Sequence, residues 1–158
     1  MKKIRIAFYK WQKTFFSKII YWKQKRLFPK KYAKYTHTEL VFWSNSFSSS
    51  EMDGWTRIKQ IDYKKKNWDF IDIELSNEKY QDILWFCMSK VWKEYWWWAI
   101  FFAQTLNFNC KWPDTYFCSE ICCEWLQQAK ILCGVSALFV EPAELCFRLE
   151  QEWYNITN

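Results

Sequence analysis

The single histidine and one of the seven cysteines lie in settings that suit thiol chemistry. His37 falls within Thr36–Phe42, a segment with the character of a β-strand, and Cys118 stands at the start of an apolar, helix-like segment, 119–130. The first N–H groups of a helix are unpaired and carry partial positive charge, which favours a thiolate and lowers the pKa of a cysteine. The pair predicts a nucleophile with its base, although each residue alone also suits a structural role.

A histidine works better as a base when an oxygen acceptor holds its second ring nitrogen. Glu39 follows His37 by two residues, so the two side chains share one face of the predicted strand. Ser49, on the next predicted strand, is the competing candidate for that acceptor. The sequence leaves the choice between Glu39 and Ser49 open.

The tetrahedral intermediate of acyl transfer also needs hydrogen-bond donors. The backbone N–H of Cys118, at the predicted helix start, is the natural one. Tyr35 and Tyr116 are candidates for a side-chain donor, although a packing role is the more usual one for a tyrosine in such a position. Ser119 and Glu120 are residue types that suit the first turn of a helix, so we expect them to cap it.

The remaining cysteines are less suited to catalysis. Cys122 lies one turn inside the predicted helix and is expected in the core, and Cys123 leaves the helix face that carries Cys118. All seven cysteines lie in the second half of the chain. Without an export signal they are expected to be reduced thiols. Their spacing contains no CxxC pair and no histidine partner for zinc, so we expect neither a metal nor a cofactor.

Length and composition predict one folded domain over residues 1–158, since 51% of the residues are hydrophobic and 23% are aromatic. No stretch reaches the roughly 18 uncharged apolar residues that a membrane-spanning helix needs. The N-terminus also lacks the apolar core and cleavage site of a signal peptide. We therefore expect a cytoplasmic location.

The first part of the chain is strongly basic. Residues 1–34 contain twelve lysines and arginines and no acidic residue, whereas the net charge of the whole chain is +6. Such a segment could contact an anionic lipid surface, nucleic acid or an acidic partner, or could form a solvated face that offsets the acidic remainder. No nucleic-acid motif accompanies it, so nucleic acid is the least favoured partner.

A helix predicted over 11–26 lies within this basic segment. Its apolar residues form a stripe, which usually packs against a core but on a basic helix could also lie on a membrane. The stripe consists of Phe15, Phe16, Ile19, Ile20 and Trp22.

Strands are predicted early in the chain and helices late, which indicates an α+β protein with an antiparallel sheet and helices packed on it. The predicted strands are 4–9, 35–43, 47–50, 55–61 and 68–75, with turns at 44–46 and 53–54 and a loop at 64–66. The predicted helices are 11–26, 78–92, 95–106, 119–130 and one from Glu141-Pro142 to about 152.

These segments resemble the circularly permuted papain-like hydrolases, the NlpC-type group that includes YiiX-like bacterial proteins, small phage-encoded relatives and the lecithin–retinol acyltransferase group. In the permuted order the histidine strand precedes the cysteine helix, as His37 precedes Cys118 here. Phe117-Cys118-Ser119-Glu120 followed by an apolar helix is the most specific match. The other matching segments are Tyr35–Phe42, Phe47–Ser50, Tyr95-Trp96 and Pro142–Leu145.

The resemblance implies a permuted papain-like fold and a Cys118–His37 dyad that hydrolyses an amide or ester through a thioester. Peptidoglycan peptides, other peptides and lipid esters are the substrates it implies. Two features depart from the family pattern. Position 96 is Trp where the family often has Asp, and the loop that often supplies the third catalytic residue offers Ser48, Ser49, Ser50 or Glu51.

Two other classes of function fit the same sequence. One is a catalytically inactive papain-like binding module, for example a phage-encoded protein that acts on a host protein. The other is nucleic-acid binding through the basic residues. The aromatic run Tyr95–Trp98 cannot turn all of its side chains to a core, so it predicts an exposed interface, either a homodimer contact or a lipid-facing patch.

Overall fold

A six-stranded antiparallel sheet forms the centre of the computed structural model, which describes residues 1–10, 14–50, 52–94, 115–138, 140–152 and 154–157. The order of the strands across the sheet is β4-β3-β2-β1-β5-β6. The strands are β1 (Lys2–Tyr9), β2 (His37–Phe42), β3 (Asn45–Ser50), β4 (Trp55–Gln60), β5 (Trp68–Leu75) and β6 (Ile156–Thr157).

Five helices accompany the sheet in the described part of the chain, so the protein is α+β, as predicted. They are α1 (Phe15–Leu27), α2 (Lys30–Ala33), α3 (Asn77–Lys90), α4 (Cys118–Gln128) and α5 (Pro142–Gln151), with a 3₁₀ turn at Lys65–Asn67. Among the described residues, no helix combines the length and the apolar character needed to cross a bilayer.

Alternation along the strands gives the sheet two different faces. Ile4, Ile6 and Phe8 of β1 belong to the main core, which the buried sides of α3, α4 and α5 complete. Ala7, between them, faces the opposite side and packs with Trp68 in a smaller cluster. This follows from the two-residue period of a strand, and it places α3, α4 and α5 on one face of the sheet.

The predicted apolar stripe of α1 is mostly not core. Phe15 and Trp22 are 68% and 57% exposed, and Ile20 is the one member of the stripe that is buried. The helix is instead held by Gln24, which is fully buried. The Gln24 side chain donates to the carbonyl of Tyr35 at 2.7 Å and accepts from the N–H of Ala143 at 2.7 Å. A buried amide with both ends paired replaces the apolar contact that the sequence predicted.

Some element boundaries differ from the sequence-based expectations. Strand β3 begins at Asn45, so the predicted turn over 44–46 is shorter, and the predicted 64–66 loop overlaps the 3₁₀ turn at Lys65–Asn67. Helix α2 and strand β6 were not predicted, because elements of four and two residues depend on tertiary contacts. Residues 95–106, including the run Tyr95–Trp98, lie outside the described part of the chain, as does Glu51.

Candidate active site

Helix α4 brings its first residue to the beginning of β2, so the predicted nucleophile and base meet. Cys118 is the first residue of α4, and His37 is the first residue of β2. One turn further along α4, the Cys122 sulfur accepts a hydrogen bond from Thr38 Oγ1 at 3.5 Å, which fixes the helix against the strand. The Cys118 thiol and the His37 imidazole line one pocket and interact through charge and a side-chain hydrogen bond.

The electrostatic environment of Cys118 favours its thiolate. The residue is only 5% exposed. Burial raises the pKa of the thiol, but the charge of His37 and hydrogen bonds from His37 and Thr38 outweigh burial, so the pKa lies below the ordinary cysteine value. The start of α4 adds its own unpaired N–H groups, which act in the same direction.

At the other cysteines in the core the effect of burial is not outweighed, so the net shift of the pKa is upward. Burial raises the pKa of Cys87 and Cys122 well above the ordinary value, and raises the pKa of Cys123 to about 12. The pKa of Cys146 is also raised by burial. Of the five buried cysteines in the described residues, Cys118 alone has a lowered pKa.

The imidazole is held by Glu39. Nε2 of His37 lies 2.8 Å from Oε1 of Glu39, which leaves Nδ1 as the ring nitrogen free to face the sulfur. Burial lowers the pKa of His37, but the Cys118 thiolate and then the Glu39 carboxylate outweigh burial and raise it to about 10. At neutral pH the arrangement therefore favours an imidazolium next to a thiolate.

Glu39 is itself held by an arginine that the sequence did not reveal. Arg57 on β4 forms a fork on Glu39, with Nη1 2.7 Å from Oε2 and Nη2 2.7 Å from Oε1. Its Nε donates to Asp53 at 2.9 Å. Burial raises the pKa of Glu39, but hydrogen bonds from Arg57 and His37 outweigh burial and lower it to about 2. Ser46 Oγ also donates to the Glu39 carboxylate.

Strand register explains how Arg57 reaches across the sheet. Ser48 of β3 pairs with Arg57 of β4, and the pairing of Val41 with Ser46 places Glu39 across from Ser48. The small serine between the two charged residues leaves the guanidinium room to cross β3. An alternating strand with a charged residue usually has that residue in solvent, so the sequence carried no clear signal for a buried Arg57.

The other predicted site residues lie elsewhere. Within the described residues, the acceptor hydrogen-bonded to the imidazole is Glu39, and the Ser49 hydroxyl instead donates to the carbonyl of Tyr116 at 2.7 Å. Tyr35 is wrong as an oxyanion donor, because its buried hydroxyl donates to Asp69 at 2.8 Å. The hydroxyl of Tyr116 accepts from Lys90 at 2.5 Å.

The residues that follow Cys118 cap and anchor α4, as expected. Glu120 Oε2 accepts from the N–H of Phe117 at 3.3 Å, which pairs a donor just before the helix. Ser119 Oγ donates to the carbonyl of Val140 at 2.5 Å. Neither contact involves the backbone N–H of Cys118. This group, at the helix start, stays the predicted oxyanion donor.

The pocket that holds His37 and Cys118 has a volume of about 390 Å³. Apolar walls come from Ile20, Met52 and Trp68, and Lys59 adds a cation. Trp68 also meets the His37 ring edge-on, with ring centroids 6.5 Å apart. The pocket can therefore hold an apolar group beside the sulfur. Among the described residues, no cluster of histidine, cysteine, aspartate or glutamate is arranged to bind a metal.

Comparisons with known proteins identified no relative of this chain. No protein family matches the chain, and neither the curated proteins nor the solved structures include one that is significantly similar to it.

Proposed function

We propose that the protein is a cysteine-dependent hydrolase of amides or esters, with a permuted papain-like fold. The observation that carries the proposal is the placement of the Cys118 thiol, at the start of α4, in one pocket with the His37 imidazole, whose Nε2 is held 2.8 Å from Glu39 Oε1. The order of the elements supports the fold, because the histidine strand β2 precedes the cysteine helix α4 in an antiparallel sheet.

In the first step the Cys118 thiolate attacks the carbonyl carbon of the substrate. The carbonyl electron pair moves to oxygen, and the backbone N–H of Cys118 stabilises the resulting oxyanion. As the intermediate collapses, the His37 imidazolium gives its proton to the leaving nitrogen or oxygen. The amine or alcohol departs, and the acyl group remains on sulfur as a thioester.

In the second step the neutral His37 takes a proton from water. The hydroxide attacks the thioester carbon, the C–S bond breaks, and the acid is released. Cys118 returns as thiolate and His37 as imidazolium, so every proton is accounted for. Glu39 and Arg57 do not touch the reacting atoms in this scheme. They are positioning residues that orient the ring and stabilise its charged form.

The pH dependence follows from the two pKa values. Attack requires the thiolate, so the rate falls as the pH drops below the pKa of Cys118, which lies under the ordinary value. Protonation of the leaving group requires the imidazolium, so the rate also falls as the pH rises through about 10, the pKa of His37. A bell-shaped profile of kcat/KM between these limits is expected.

A substrate panel tests the proposal. Chromogenic anilides of amino acids, a muropeptide and acyl esters of increasing chain length represent the peptide, cell-wall and lipid classes. For whichever substrate is turned over, C118A and H37A should each lower kcat/KM by at least about a thousandfold, because the nucleophile or its base is lost.

Cys133, which is exposed, provides the matched control. C133S removes a thiol from the surface and should leave kcat/KM unchanged. Hydrolysis by C118A at the wild-type rate would contradict the proposal and would favour a binding module without thiol chemistry.

A further inference from the structure

The outward side of α1 combines exposed aromatic residues with cations. We call it the α1 outer face and define it by Phe15, Lys18, Trp22, Lys25 and Arg26, which follow one another at helical spacing. All five are exposed, and the guanidinium of Arg26 lies 3.6 Å from the ring centroid of Trp22. Exposed aromatic side chains surrounded by charged residues are typical of a surface that binds a partner.

The orientation of α1 is fixed from the opposite side. Gln24 and Ile20 are the buried residues of the helix, and the Gln24 side chain joins it to the chain before β2 and to the start of α5. Lys23 adds an ion pair of 2.8 Å with Glu141. The α1 outer face therefore points away from the molecule as a consequence of the fold.

The charge of this surface is not balanced locally. Helix α1 contains no acidic residue, and neither does any position from 1 to 34. Several neighbouring cations are paired, since Lys31 contacts Glu150 and Lys34 contacts Asp69. By contrast, Lys18, Lys25 and Arg26 make no ion pair with any residue of the described part of the chain. Their charge is available to an anionic partner.

We infer that the α1 outer face docks on an anionic phospholipid surface, with Phe15 and Trp22 in the interfacial region and the cations on the lipid phosphates. Aromatic rings favour the boundary between headgroups and acyl chains, and lysine and arginine are attracted to anionic lipids.

The apolar content of the surface favours lipid over other anionic partners. Nucleic acid would be bound through bases stacked on the aromatic rings, but the Arg26 guanidinium already covers one face of the Trp22 ring. An acidic peptide would pair with the cations but would leave Phe15 and Trp22 exposed. A bilayer accommodates all of these groups at once.

Docking through α1 would also place the pocket near the membrane. Thr14, which caps the start of α1, and Ser17 and Ile20 of its first turns line the pocket that His37 and Cys118 share. The docking surface and the pocket are thus parts of one helix. The docking inference does not depend on the chemistry proposed for Cys118.

Vesicle co-sedimentation tests the inference. One set of vesicles contains phosphatidylcholine alone, and the other contains phosphatidylcholine and phosphatidylserine at about 7:3. The wild-type protein should bind the anionic vesicles at least tenfold more tightly than the neutral ones, and the preference should weaken as NaCl rises from about 50 to 500 mM.

Two variants identify the surface. F15S/W22S should lose at least tenfold in affinity for the anionic vesicles, and K18Q/K25Q/R26Q should remove the preference for phosphatidylserine. All five side chains are exposed, so circular dichroism should show an unchanged fold. W85S is the matched control, because Trp85 is 75% exposed on α3 and belongs to a different surface.

Three results would overturn the inference. One is no binding of the wild-type protein to anionic vesicles. The second is equal loss of binding in W85S and F15S/W22S. The third is binding to RNA or to polyglutamate at concentrations where vesicles stay unbound, which would assign the cations to a different partner. Vesicle binding is measured with C118A as well, and it should be unchanged there whether or not the protein is a hydrolase.

Discussion

Replacing His37 by alanine should slow alkylation of Cys118 by iodoacetamide at pH 6 to 7 by at least about tenfold. The imidazolium is the largest of the effects that oppose burial at this thiol, so its removal raises the pKa of Cys118. A thiol of ordinary pKa is only about 3% thiolate at pH 7, and thiolate is the reactive form. The smaller side chain also opens the pocket, so a slower reaction cannot be attributed to steric hindrance.

The measurement is the rate of carbamidomethylation at Cys118, followed by mass spectrometry from pH 5 to 10. A C110S/C133S background removes the exposed thiol and the cysteine outside the described residues. K59A is the matched control, because it removes a cation from the same pocket without removing the partner of the sulfur. An H37A rate equal to that of wild type at pH 6 would show that the imidazole does not activate the thiol.

The second large effect is expected at Arg57. R57M should lower the free energy of unfolding by about 3–5 kcal/mol, because it leaves the Glu39 carboxylate buried without its main partner. The side chains of Arg57 and Glu39 are only 11% and 1% exposed, so solvent screens their interaction weakly. E39Q/R57M should be less destabilised than R57M, since the double variant contains no unpaired buried charge.

The pH dependence of stability gives an independent check on this pair. The folded-state pKa of Glu39 is about 2, below its ordinary value of 4.5. Its contribution to stability is therefore fully present above about pH 4.5 and is lost as the pH falls toward 2. Urea unfolding at several pH values should show this loss in the wild-type protein and a smaller one in E39Q/R57M. Additive effects of the two substitutions would contradict a coupled pair.

Local sequence patterns were sufficient for the larger elements. The segment Trp68–Leu75 was predicted as a strand with the bounds that β5 has, and the helix predicted over 78–92 is found at Asn77–Lys90. The two-residue period of a strand placed Glu39 on the face of His37, where the hydrogen bond is found. These features depend on neighbours within a few residues.

The features that the sequence did not reveal depend on distant contacts. The burial of Gln24 follows from two backbone groups that approach from Tyr35 and Ala143, and nothing in the pattern of α1 indicates them. The Arg57 fork on Glu39 depends on the register of three strands. A polar residue becomes a core residue in both cases because its hydrogen bonds are satisfied there.

Direct capture of the acyl-enzyme tests the central claim most directly. The C110S/C133S protein is mixed with an acyl p-nitrophenyl ester, quenched with acid within the first turnover and analysed by intact mass and peptide mapping. We predict one acyl group per chain on Cys118, released by hydroxylamine as a thioester is, and absent from C118S. An acyl group found equally on other residues, or undiminished in C118S, would contradict the account.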